Sequence, residues 1–259
     1  MDWAYSLAGL IVGFVVGLSG MGGGSLMTPL LVLLFGVPPA TAVGTDLLYA
    51  SITKAGGVWV HQRRGNIDWR LLGRLAAGSI PTALATVLIL AVLDIDDDDL
   101  EALISAVLGG ALILTAIALL LRDRLQRLSA RRSAAHGPAE ARRTARLTLA
   151  TGAVLGVLVT MSSVGAGVLG MAALLWFYPR LPSVKLVGTD IAHAVPLTAV
   201  AGVGHFYLGS VDLALLGYLL LGSLPGIYLG SHVSSRFPDR LLRPALAGML
   251  ILVGGRLVW

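Results

Sequence analysis

The stretch HQRRGNIDWRLLGRLAAGSIP at residues 61–81 returns as HFYLGSVDLALLGYLLLGSLP at residues 205–225. His61, Gly65, Asp68, Leu71, Leu72, Gly73, Gly78, Ser79 and Pro81 match His205, Gly209, Asp212, Leu215, Leu216, Gly217, Gly222, Ser223 and Pro225, every pair offset by 144 positions. Upstream, Gly44-Thr45-Asp46 returns as Gly188-Thr189-Asp190 at the same offset, and Gly22, Gly24 and Leu26 return as Gly165, Gly167 and Leu169 at 143. One single-residue indel therefore separates two homologous halves, and such repetition governs how the rest of a chain is read. Polar positions match as well as apolar ones, which a merely apolar composition does not produce.

Of the 259 residues, 56% are hydrophobic and 13% charged, against roughly 25% charged in an ordinary soluble domain. That surplus needs lipid to face. Ala76–Leu93, Ala102–Leu121 and Leu213–Leu229 approach or exceed the roughly 20 apolar residues that carry a helix across a bilayer. The expected fold class is all-α, a polytopic integral membrane protein of the cytoplasmic (inner) membrane. The formal charge of +5 comes largely from arginines in short loops, where the positive-inside rule explains them without nucleic acid. Without cysteine, the chain has no disulfide, thiolate metal site or cysteine nucleophile, and neither metal nor cofactor is expected. Met-Asp-Trp-Ala-Tyr lacks the basic start of a cleaved signal peptide, so the first apolar run is expected to stay. Trp3, Trp59, Trp69, Trp176 and Trp259 fall near predicted span ends, as interfacial anchors do.

Eight arginines between Arg122 and Arg146, with Gly137 and Pro138 among them, read as a flexible cytoplasmic linker. It divides the chain into a first membrane repeat (1–125), a basic linker (126–146) and a second repeat (147–259). Arg63, Arg64, Arg70 and Arg74 place 61–74 inside, and the acidic run 94–99 then faces out. In the second half Arg236, Arg240 and Arg243 mark the inside, whereas the turn at Phe206–Ser210 carries no cation. Equivalent loops thus fall on opposite faces: the halves are expected to be inverted, with both termini external. Inversion requires an odd number of crossings per half, supplied by Ala40–Val60, Leu71–Leu93 and Leu100–Leu121. Ala4–Phe35, interrupted at Ser19–Ser25, must then dip in and return, as a re-entrant hairpin or as two short helices. Its counterpart Leu147–Tyr178 is interrupted at Ser162–Gly167 and dips from the cytoplasmic side. Each repeat thus holds about four helical segments, the first one broken.

Irregular backbone at membrane depth persists only where it is buried in protein or lines a wet cavity. Two glycine-serine breaks entering from opposite faces would meet near the centre, where the half-helices starting near Ser25 and Val168 offer unpaired N–H groups and a positive dipole end to an anion. Gly22, Gly23, Gly24, Ser25, Ser162, Ser163, Gly165 and Gly167 are the candidates there, joined by Thr45 and Thr189. The competing reading makes the glycines sites of close helix packing. No Gly-Lys-Ser/Thr follows the glycine run, which argues against a nucleotide loop. Lys54, in the middle of an apolar run, either meets the anion or neutralises Asp46 two helical turns away. Asp46 and Asp190 are equivalent, and His193 stands three residues beyond Asp190 on the same helix face. They are candidates for proton relay or for helix-packing hydrogen bonds. His61 and His205 read as solvated or capping residues beside turns.

Gly17-Leu18-Ser19-Gly20-Met21-Gly22-Gly23-Gly24-Ser25-Leu26 with Pro29, followed by Ala42-Val43-Gly44-Thr45, resembles the signature of the TauE/SafE family of sulfite and organosulfur-anion exporters. The resemblance implies a membrane fold of two inverted repeats and transport of sulfite, sulfate, thiosulfate, sulfonates or related anions, possibly with coupled protons, by a protein that is not an enzyme. Two departures stand out: Asp46 and Asp190 occupy positions where that family commonly has an uncharged polar residue, and the second break lacks a full glycine triplet. A carboxylate beside an anion site repels the cargo unless it is protonated or paired with Lys54 or His193, which points to proton coupling or to a distinct substrate subclass. A small-anion channel and an intramembrane aspartyl enzyme built on Asp46 and Asp190 are the alternative readings.

Overall fold

The computed structural model describes residues 2–19, 26–93, 96–131, 138–233 and 239–258. They form ten helices, five to each half: α1 (Asp2–Ser19), α2 (Met27–Phe35), α3 (Pro39–Arg63), α4 (Trp69–Val92) and α5 (Asp97–Arg131), then α6 (Pro138–Ser162), α7 (Val168–Phe177), α8 (Ser183–Tyr207), α9 (Leu213–Val233) and α10 (Asp239–Val258). The fold is all-α, and five helices are long and apolar enough to cross a membrane: Trp69–Val92, Asp98–Leu128, Glu140–Ser162, Ser183–Tyr207 and Leu213–Val233. α3 has 25 residues, about 37 Å of helix at 1.5 Å per residue. Its Asp46 and Lys54 are buried among other helices, which is why a polar sequence is tolerated there.

The repeated polar residues set the helix ends. Asp68 caps α4 by accepting the Leu71 N–H at 3.0 Å, and its equivalent Asp212 caps α9 by accepting from Ala214 and Leu215 at 2.9 Å. Gly65 and Gly209 end α3 and α8 with φ of 65° and 75°, a left-handed conformation that glycine adopts without steric cost. The basic linker is a correction to expectation. α5 continues to Arg131 and α6 begins at Pro138, so most of the segment is helical, because arginine, alanine and leucine favour helix even at high charge. Residues 132–137 lie outside the described residues.

α1 runs parallel along α9, with Gly9 on Leu219, Gly13 on Ser223 and Gly17 on Ile227. The equivalent pair α6 and α4 repeats this, with Gly152 on Leu75 and Gly156 on Ser79. At all five glycines a Cβ would overlap the facing backbone, so these are small-residue contacts of the kind that hold membrane helices together. α3 and its equivalent α8 run antiparallel: Leu48 packs at Gly202, Ser51 donates to the Val195 carbonyl at 3.4 Å, and Ile191 meets Gly57. Loop contacts are likewise exchanged between the halves. The Asp68 N–H donates to Thr189 Oγ1 at 2.9 Å, and the Asp212 N–H donates to Thr45 Oγ1 at 3.1 Å. The second broken segment, Leu147–Tyr178, returns to the level it started from, because Thr148 in the middle of α6 is 2.8 Å from the Tyr178 hydroxyl at the end of α7. Outward-facing apolar side chains such as Val92 (82% exposed) and Leu252 (76%) make a surface suited to lipid. Arg63 stacks over exposed Trp59 at 3.9 Å, as at a membrane–water boundary.

Candidate functional site

The break between α6 and α7 is built by unusual backbone. Ser163 has φ of 57°, Gly165 of 111° and Gly167 of 130°, and a non-glycine residue in the left-handed region signals a segment fixed by its surroundings. Ser162 secures the end of α6: its hydroxyl donates to Leu158 O at 2.6 Å and accepts from Val164 N–H at 3.2 Å. Val164 is fully buried and packs in one cluster with Leu26 and Met27, which lead into α2. The second break thus shares a core with the residues that follow the first. Gly22, Gly23, Gly24 and Ser25 lie outside the described residues.

The break is strung between the two carboxylates. Asp46 on α3 is fully buried, accepts the Thr28 hydroxyl from the first turn of α2, and has Ser163 beside it. Asp190 on α8 faces the first turn of α7, where its Oδ1 occupies the space that a Cβ on Gly170 would need. A cavity of about 30 Å³ adjoins Asp190, lined by Gly167 and by Arg122 of α5. Between the carboxylates, Lys54 donates from Nζ to the Ala166 carbonyl at 3.2 Å and feels the charge of both Asp190 and Asp46. An ammonium held at a carbonyl of unwound backbone retains N–H donors for a further acceptor. A cavity of about 400 Å³ leads to it, from His61 and Ser231 near the ends of α3 and α9 to Thr53, Lys54 and Tyr49.

His193 is fully buried with Nε2 2.8 Å from Ser79 Oγ. Its equivalent in the first half is Tyr49, which faces Ser223, the equivalent of Ser79. Asp46 Oδ1, Tyr49 OH, Ser163 Oγ, Asp190 Oδ1, His193 Nδ1 and Ser223 Oγ are buried without a hydrogen-bond partner among the described residues. Buried polar atoms are seldom left so; among them Asp46 lies beside Ser163 and Tyr49 beside Ser223, while Asp46, Asp190 and His193 are within electrostatic reach of Lys54.

Lys54, Ser163, Asp46, Asp190 and His193 therefore come together, with Gly165 and Gly167 shaping the backbone between them. Others have separate tasks. The hydroxyls of Thr45 and Thr189 accept the loop N–H groups of Asp212 and Asp68, and Thr189 also donates to Lys185 O at 2.7 Å. Gly44 and Gly188 beside them let Ser210 O and Asn66 O approach the helix. The Gly-Thr pairs pin the loop of one half onto the other. Gly165 O accepts from Leu169 N–H at 3.1 Å and Gly170 N–H at 3.3 Å, so part of the donor set expected at the head of α7 is already used. His205 donates from Nε2 to the Thr160 carbonyl, 2.9 Å away, and is buried, not solvated as its position beside a turn suggests. Thr28 and Tyr49 escape a reading based on identical repeats, whereas Ser79 and Ser223 are a repeated pair whose partners, His193 and Tyr49, are aligned only by the 144-residue register.

A sequence profile described as sulfite exporter TauE/SafE matches residues 5–257. The chain belongs to the TauE/SafE family. It is 41% identical over 258 residues to the probable membrane transporter protein YjnA of Bacillus subtilis, covering 100% of both chains. With the probable membrane transporter protein YdhB of Bacillus subtilis the identity is 31%, covering 95% of this chain and 96% of the relative. A probable membrane transporter protein of Xylella fastidiosa shares 26% identity over 97% and 93% of the two chains. No solved structure matches. A TauE/SafE chain with this helical exterior is a multi-pass membrane protein of a transporter family, and its breaks and buried polar cluster are to be read in that setting.

Proposed function

We propose that this protein is a secondary transporter that carries a small sulfur-containing anion, of the sulfite, sulfate, thiosulfate or sulfonate kind, across the cytoplasmic membrane by alternating access. The observation that carries the reading is Lys54: a buried cation in the middle of α3, donating to the unwound backbone at Ala166 at the inner end of a cavity of about 400 Å³. Buried cations at membrane depth are costly and serve function. The anion is bound by Lys54 and the Ser163 hydroxyl. Gly165 and Gly167 give the backbone its approach, and Gly22, Gly23, Gly24 and Ser25 are proposed as their counterparts in the first half. Thr45, Thr189 and Ser162 hold the frame. The halves act as inverted repeats, and their antiparallel α3 and α8 support a two-fold axis in the membrane plane. The arginine-bearing ends lie in the cytoplasm with both termini outside.

Lys54 and Arg122 balance Asp46 and Asp190 when all four are ionised, so the site attracts an anion on balance only when it takes up a proton. The cargo therefore enters with at least one proton on Asp46, Asp190 or His193, and this couples transport to protons. No covalent step is needed, so the carboxylates act as charge carriers and not as a proteolytic pair. The test is radiolabelled sulfite uptake into proteoliposomes. Saturable uptake is expected, with a loss of about tenfold or more in Lys54→Ala, from the roughly 1.5–3 kcal/mol of a hydrogen bond to a charged group. An undiminished rate in Lys54→Ala removes Lys54 from the site. Uptake that never saturates favours a channel.

A further inference from the structure

The Tyr178–Leu181 turn between α7 and α8 forms one wall of a third cavity, of about 210 Å³, which shares no lining residue with the cavity at Lys54. Leu181 N–H donates to Tyr178 O at 3.1 Å with Pro179 and Arg180 at the turn's centre, and proline there presets the backbone. Tyr178 is itself tied to Thr148 of α6. The turn is therefore rigid and presents Arg180 to the cavity. Arg74, from the second turn of α4, reaches the same cavity from the other half of the chain, and Thr144 of α6 adds a hydroxyl. Phe177 and Leu181 complete it with apolar surface.

Its position is a boundary. α4 starts at exposed Trp69, and α6 passes from the exposed arginines Arg142, Arg143 and Arg146 into its apolar run at Leu147. Duplication did not supply the cations. The equivalent of Arg74 is Tyr218, and Arg180 aligns with Gly36 or Val37 according to where the indel falls. The opposite end of the molecule therefore has the same framework without either guanidinium.

We propose that this cavity binds a phosphate ester through Arg74 and Arg180. Arg74 and Arg180 line one small volume, and a pair of guanidinium forks suits the tetrahedral oxygens of a phosphoryl group. A rim of Phe177 and Leu181 at the membrane boundary suits the glycerol and acyl start of an anionic lipid. At roughly 30 Å³ per liquid water, the space holds several waters or one phosphodiester. Occupancy ties α4 of the first half to the α7–α8 turn of the second.

The test reads binding alone, so it is independent of what is transported. The full chain in neutral detergent is melted with phosphatidylglycerol, with phosphatidylcholine, and with inorganic phosphate against chloride at equal ionic strength. Phosphatidylglycerol is expected to raise the melting midpoint where phosphatidylcholine does not. Arg74→Gln/Arg180→Gln should lose about half or more of that rise, since two cations share the contact, while Arg142→Gln/Arg143→Gln keeps it. A response to phosphatidylglycerol alone identifies a lipid site, and a response to phosphate as well identifies a site for any phosphoryl group. If no phosphoryl ligand shifts the midpoint, or the rise survives in the cavity variant, the proposal fails. An equal loss in the Arg142/Arg143 variant also overturns it, because diffuse surface charge then accounts for binding. Should the double variant not fold, exposed Arg180→Gln carries the same comparison, with native mass spectrometry counting phosphatidylglycerol retained per chain.

Discussion

Thr28 gives its hydroxyl to Asp46, and at the equivalent place in the second half stands Met171. The two carboxylates therefore differ although duplication made them alike. Asp46 is held by a donor, while Asp190 sits against the backbone of α7 at Gly170 with Arg122 across a small cavity. Thr28→Val should leave Asp46 buried with one partner fewer and cost about 1–3 kcal/mol, measured as a lowered midpoint in thermal unfolding. A midpoint equal to wild type would mean the hydroxyl adds nothing there. Asp190→Asn speaks to the proposed coupling instead, because the amide cannot ionise. Sulfite movement in proteoliposomes should then persist, with its dependence on an imposed pH gradient reduced. Undiminished gradient dependence would move the coupling role to Asp46 or His193.

At the scale of elements, repeated glycines separate into two kinds that sequence alone makes identical. Gly78 on α4 and Gly222 on α9 meet the backbone of Leu149 and Ser6, so a Cβ has nowhere to go, whereas Gly73 and Gly217 have no atom within 4 Å of that position. Gly78→Ala should destabilise by about 1–3 kcal/mol through overpacking. Gly73→Ala should be neutral or gain up to about 1 kcal/mol from better helix propensity. Thermal unfolding of the two variants in one detergent checks both, and equal losses would contradict the parallel packing of α4 on α6. This is also where the sequence ran out. The repeat singles out Asp68 with Asp212 and Gly65 with Gly209 without giving their tasks, which are local ones at helix ends. The tasks of Thr45 and Thr189 were hidden because their partners are loop N–H groups in the opposite half. The helical run through Arg131 was missed because arginine count reads as a loop while the propensity of the same residues is helical. Lys54 stood out from its depth alone, but nothing local tells that its partner is the carbonyl of Ala166.

For the whole molecule, the decisive relation is between α3 and α8. Equivalent helices that pack antiparallel are exchanged by a two-fold axis perpendicular to both, and if each crosses the bilayer that axis lies in the membrane plane. The reciprocal hydrogen bonds from Asp68 to Thr189 and from Asp212 to Thr45 fit the same operation. The proposed faces follow arginine placement: Arg63, Arg70 and Arg74 cluster at the end where α3 finishes, and its equivalent after α8 has none. Gln62 and Phe206 are equivalent, exposed and uncharged, each in the last turn of its helix, so replacing them leaves the arginine count intact. The chain has no cysteine of its own, so a single introduced thiol reports without background. In intact cells, Phe206→Cys should react with a membrane-impermeant maleimide, and Gln62→Cys should react only after the membrane is opened. Labelling of both from the same side would make the halves parallel in the membrane. The site at Lys54 would then have to open and close by some motion other than the rocking of two inverted halves.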